Sequence, residues 1–126
     1  MKTIELGNIK TGDIILTQGK SKLSKLIQKF QTKKHPLGRY SHSGIAWWVY
    51  DQLHIVEAQK EGIVITPFKK HYIDSGNFES VRILRAQEYI DGSEMGKIMM
   101  PYVGRVRYDF LNLLIHQPIQ ILTGKW

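Results

Sequence analysis

The sequence predicts an α+β fold in a single domain, on three observations. Three apolar runs, Ser43 to Tyr50, Leu53 to Ala58 and Ile63 to Thr66, are separated only by short polar punctuation, the signature of an antiparallel meander. One stretch, Ser21 to Lys33, switches to the three- and four-residue period of a helix. The 126 residues are enough for one modest core, since a chain of this size buries roughly two-thirds of its unfolded surface.

Each element has a local cause. Gly12-Asp13 reads as a turn, capped by Asp13, that opens a strand over Ile14 to Thr17. Ser21 is the expected N-cap of the helix, whose Leu23, Leu26, Ile27 and Phe30 form one stripe. That stripe is expected to pack on the sheet and leave the lysines in water. His35-Pro36-Leu37-Gly38 ends the helix. Asp51-Gln52 and Glu61-Gly62 are the expected connections of the meander, which Pro67 closes. Phe68 to Asn77 is irregular or a short helical turn, and Ser80 to Arg85 is a further strand. After Asp91-Gly92 a helix runs from a Ser93 cap toward Val103, cut short at Pro101. Phe110 to Leu122 is mostly apolar and interrupted at Pro118.

Composition narrows the function classes. A hydrophobic content of 42% with 10% aromatic residues belongs to a globular chain rather than a disordered one. No apolar run reaches the ~18 residues of a membrane span, and the start Met1-Lys2-Thr3-Ile4-Glu5 has no signal-peptide core. The default expectation is therefore a cytoplasmic location. The sequence has 0 cysteines, so no disulfide is available. The formal charge of +7 favours anionic partners, and Lys20, Lys22, Lys25, Lys29, Lys33 and Lys34 concentrate it in one stretch. Contact of Lys20, Lys22, Lys25 and Lys29 with an acidic surface or polymer is the alternative to a face that simply meets water. Nucleic acid is not expected, because Trp47 and Trp48 lie in an apolar strand instead of among exposed arginines.

The chemistry-bearing residues are His42, at the mouth of the apolar strand, and Glu57, 15 positions later on the next strand. A base and the carboxylate that orients it are two members of a nucleophile–base–orienter set, and the spacing suits two adjacent antiparallel strands. An ion pair of Glu57 with Lys60 or Arg82 is the competing structural reading. Ser41 and Ser43 flank His42, and neighbours in an extended strand point to opposite sides, which disfavours either as nucleophile. Tyr40 and Ser43 are the candidate substrate contacts, Tyr40 as a donor to an oxyanion. His42, His54 and Glu57 lack the short spacings of a ligand pair, so neither a metal nor another cofactor is expected.

The order of motifs is informative. A Gly-Asp-Ile-Ile-Leu strand from Gly12 precedes the Ser-His-Ser-Gly-Ile strand from Ser41. Next come Val56-Glu57-Ala58, the Gly-Ile-Val-Ile-Thr-Pro strand ending at Pro67, and Tyr108-Asp109-Phe110 before an apolar segment. From Lys10 to nearly the last residue this resembles the permuted papain-like cysteine hydrolases. The likeness is to their permuted NlpC-type, YiiX-like group, with the lecithin retinol acyltransferase-like proteins as more distant relatives. The resemblance implies a small antiparallel sheet curved toward a barrel, with helices on one side. It also implies an amidase, peptidase or acyl-transfer chemistry on a peptide, lipid or cell-wall-type amide. By the same resemblance His42 is the general base and Glu57 its orienter. His54 is the alternative orienter, because acyltransferase-like relatives use a second histidine on this strand. Strand alternation sets His54 and Glu57 on opposite faces, so only one can serve His42. The family's cysteine has no counterpart here. The expectation is a domain truncated at its C-terminal end and inactive alone, with an uncovered sheet prone to self-association. The alternative is a non-catalytic binding module using the same cleft.

Overall fold

A computed structural model describes residues 5–105 of the chain. Five strands, β1 (Ile14–Gly19), β2 (His42–Val49), β3 (Gln52–Gln59), β4 (Gly62–Pro67) and β5 (Phe78–Leu84), form one sheet in the order β4-β3-β2-β1-β5. Every neighbouring pair is antiparallel, and the sheet is curved but not closed. Among the described residues two α-helices accompany it, α1 (Lys22–Gln31) and α2 (Gly92–Met99). A π-helical turn, Lys69–Ile73, follows β4. No helix among the described residues is long and apolar enough to cross a membrane. The apolar stretch Phe110 to Leu122 lies outside the described residues.

The meander β2-β3-β4 is the part that local pattern predicts, and it is present. Its first turn falls at Tyr50-Asp51 rather than Asp51-Gln52, since Val49 pairs with Gln52. Tyr50 takes a left-handed conformation (φ 54°) and is almost fully exposed, as a two-residue hairpin of this twist requires. β1 pairs on one side with β2 and on the other with β5, so the first strand is interior to the sheet.

Side-chain alternation divides the sheet. Ile15, Ala46, Leu53 and Ile55 share one face, where Ile9, Phe68 and Tyr72 complete the core. On the opposite face Trp47 lies against α2. A Cβ on Gly96 would fall 2.5 Å from the Trp47 ring, so only glycine lets that helix come so close.

Two local expectations need correction. The cap of α2 is Asp91, whose carboxylate accepts from the Ser93 and Glu94 amides at 2.9 and 3.4 Å. Ser93 is itself inside the helix; an aspartate two residues earlier satisfies the free amides and carries the charge that suits a helix start. The second correction is larger. α1 begins at the expected cap, with Ser21 Oγ accepting from Ser24 N at 3.1 Å, but it does not lay its apolar stripe on the sheet. Leu26 is 45% exposed, whereas Gln28 is buried. Gln28 Nε2 donates to the Gly19 carbonyl and to Ser24 Oγ, both at 2.9 Å, and Gln28 Oε1 accepts from Gln18 at 3.1 Å. These bonds tie α1 to the end of β1 through its polar edge. Leu23 and Ile27 are thereby left to line a cavity instead of the core.

Candidate active site

The site begins with register. Thr17 pairs with His42 across β1 and β2, and Gly44 pairs with Glu57 across β2 and β3. Directly opposed residues share a face. His42 and Gly44, two apart, share it too, so His42 and Glu57 lie diagonally on the core face. The position between them is a glycine with no side chain in the way. His42 Nε2 and Glu57 Oε2 are 2.6 Å apart. Lys60 and Arg82 are not the partners of this carboxylate; it is committed to the imidazole.

A third group joins them. Tyr72, on the π-helical turn, donates its hydroxyl to the same Glu57 Oε2. The Glu57 side chain is fully buried and that of His42 is 27% exposed. Burial pushes the Glu57 carboxyl up, and hydrogen bonding from His42, Thr66, Tyr72 and Gln59 outweighs it, so the group rests below its ordinary value. Oε1 is buried and accepts no bond of good geometry, although Thr66 and Gln59 lie close enough to help hold the charge. Burial, then the hydrogen bond to Glu57 and its charge, push the Tyr72 phenol far up, so its proton stays in place as a donor.

An ionised Glu57 dictates the tautomer of His42. Nε2 carries the proton toward the carboxylate, and in the neutral ring Nδ1 keeps its lone pair. Nδ1 has no hydrogen-bond partner among the described residues. The ring borders a cavity of about 240 Å³ that Ser21, Leu23, Ser24 and Ile27 of the α1 region bound on one side. Gln59, Lys60, His71, Tyr72 and Phe78 bound it on the other. The described residues contain no group of three or more His, Cys, Asp or Glu able to hold a metal.

The other sequence candidates fall elsewhere. His54 lies three residues from Glu57 on β3, about 10 Å along the strand, and its Nδ1 bonds the Gln52 carbonyl at 3.0 Å. It does not reach His42. Ser43 faces the opposite side of the sheet and lines a different cleft of about 400 Å³, walled by Ile14, Ile45, Val56, Ile98 and Tyr102. Tyr40 is buried, and its hydroxyl accepts from Arg39 Nη2 at 3.0 Å, away from the residues that bound the His42 cavity. Ser41 precedes the strand, so alternation does not turn it away. It borders the His42 cavity and shares a short hydrogen bond with Ser24 Oγ. Asp13 accepts from Lys10 N at 2.8 Å as a turn cap, and Arg85 grips it with Nε and Nη2 at 2.8 and 2.6 Å. Tyr72, Ser24 and His71 were not singled out by the sequence. Tyr72 sits in an irregular stretch whose only signal was an aromatic residue beside a histidine.

An imidazole and a buried carboxylate on adjacent strands of a curved antiparallel sheet, opening on a cleft, define a papain-like class of domain. Residues 8–111 match the family model described as permuted papain-like amidase enzyme, YaeF/YiiX, and the chain belongs to that family. The curated proteins include no match.

Proposed function

We propose that this chain supplies the base and orienting half of a cysteine amidase or acyl-transfer site, with His42 as general base and Glu57 as its orienter. The observation that carries the reading is the 2.6 Å His42–Glu57 pair, at the edge of a cavity, with Nδ1 unpaired among the described residues. In the reaction a thiol gives its proton to Nδ1 as sulfur attacks the carbonyl carbon. The imidazolium, held by Glu57, then returns that proton to the departing amine. Water activated by the same nitrogen releases the acyl group. These 126 residues hold 0 cysteines, so in this reading the thiol would be supplied by another segment or chain. Leu23 and Ile27 offer an apolar wall for the acyl portion of a peptide, lipid or cell-wall-type amide.

The test is hydrolysis of amide and ester substrates by the full gene product and by residues 1–126 alone. The short chain is expected to show none, and His42→Ala in the complete protein is expected to lose about 10²–10⁴-fold in kcat. Hydrolysis by the 126-residue chain that vanishes in His42→Ala would overturn the requirement for an external sulfur. A second reading rests on the missing cysteine itself: a binding module that holds a peptide, lipid or wall fragment in the same cavity. It predicts saturable binding with no turnover in the full product.

A further inference from the structure

The Glu57 carboxylate is arranged in a way that a simple base–orienter pair does not need. Its Oε2 accepts from two donors, the His42 imidazole and the Tyr72 hydroxyl, while Oε1 is buried without a bond of its own. The Tyr72 ring is clamped. Phe68 stacks on it at 5.7 Å, Phe78 tilts against it at 4.5 Å and His71 meets its edge at 4.9 Å. A π-helical turn, a rare local form that inserts one residue into a helical turn, carries it into place. The phenol is 3% exposed, so water does not replace the bond it makes.

We propose that Tyr72 is a positioning residue that sets both the orientation and the basicity of Glu57, and through it the proton affinity of His42. This deepens the amidase reading and rests on His42 being its base. Two donors on one oxygen fix the plane of the carboxylate so that Oε2 stays on the imidazole. The tyrosine also withdraws part of the negative charge that the imidazolium would otherwise enjoy. A carboxylate free of Tyr72 would hold the imidazolium more strongly and so disfavour the neutral ring that acts as base. Other groups facing this ring are few. Lys60 comes from the β3–β4 turn and His71 from the π-helical turn. Among the described residues, the α1 region contributes Ser21, Leu23, Ser24 and Ile27, and β5 contributes Phe78, none of them charged.

The experiment is an NMR titration of the His42 ring nitrogens in the ¹⁵N-labelled 126-residue protein, which needs no turnover. Tyr72→Phe is expected to raise the His42 midpoint by about half a pH unit or more while Nε2 keeps its proton in the neutral ring. A Tyr72→Phe protein that melts earlier but titrates at the wild-type midpoint would reduce Tyr72 to a packing residue and overturn the proposal. Should Tyr72→Phe fail to fold, 2,3-difluorotyrosine placed at position 72 keeps the shape and makes a stronger donor. The midpoint should then fall, and an unchanged midpoint again overturns the proposal. His71→Gln in both backgrounds removes the neighbouring titration and is expected to leave the shift in place; loss of the shift would assign it to His71 and sink the idea. The two readings fail separately. If His42 is not the base, the coupling survives in the titration while activity of the full product ignores His42→Ala.

Discussion

Among the described residues, Asp13 and Glu57 are the two buried acids, and the fold has arranged to keep their charge. Asp13 is 3% exposed and is held by a two-pronged contact from Arg85 and by the Lys10 amide; the arginine is the largest cause of its lowered carboxyl pKa. Such a carboxyl binds its proton less tightly folded than unfolded. The stability it contributes is therefore complete above its ordinary value, 3.8 for Asp13 and 4.5 for Glu57. It is lost as pH falls through the depressed folded values. Urea midpoints should fall steeply below about pH 4, and Asp13→Asn should flatten part of that fall. At neutral pH the same substitution is expected to lower the urea midpoint, because the buried Asp13 site then loses its charge-assisted bonds from Arg85 and the Lys10 amide. Stability that stays constant down to pH 2 would contradict both assignments.

At the scale of elements, the site depends on the close approach of β2 to β3 at Gly44. Gly44 sits opposite Glu57, and a Cβ there would come 2.4 Å from Ile55 Cγ1 and 2.9 Å from the Val56 carbonyl. Ile55 is fully buried with nowhere to retreat. Gly44→Ala should cost about 1–3 kcal/mol in a thermal melt and disturb the His42 titration, since the β2–β3 spacing sets the histidine–carboxylate distance. Helix α1 is held at its start by Ser21, and Ser21→Ala should lower stability by about 1 kcal/mol in urea unfolding. Helix period and cap were legible here, but the side turned inward was not. A stripe of Leu23, Leu26, Ile27 and Phe30 outweighs Gln28 in any count of apolar residues. What decides the orientation is the open carbonyl of Gly19, reached only once β1 and α1 have folded beside each other.

Across the whole molecule, the net charge of +7 invites an anionic partner, yet part of the lysine-rich face is already engaged. Lys25 pairs with Glu79, and Lys20 donates to the Gly76 carbonyl at 2.9 Å. Lys22 and Lys29 on the exposed side of α1 are the cations we propose for contact with an acidic surface. Binding to anionic vesicles should weaken steeply between low and physiological salt, as released counterions require, and Lys22→Gln with Lys29→Gln should reduce that slope. Vesicle binding indifferent to salt would refute the contact.

Sequence alone determined the three-stranded meander, the existence of the strands over Ile14 to Thr17 and Ser80 to Leu84, the helix with its Ser21 cap, and the adjacency of His42 and Glu57. Each of these depends on residue type and short-range period, which act before any distant contact forms. The tertiary structure alone decided that β1 lies between β2 and β5, that α1 turns a polar edge inward, and that Ser43 and His54 stand apart from His42. It also brought Tyr72 to the carboxylate. Those outcomes depend on which distant surfaces meet, and the free energy of such meetings is not written in any local pattern.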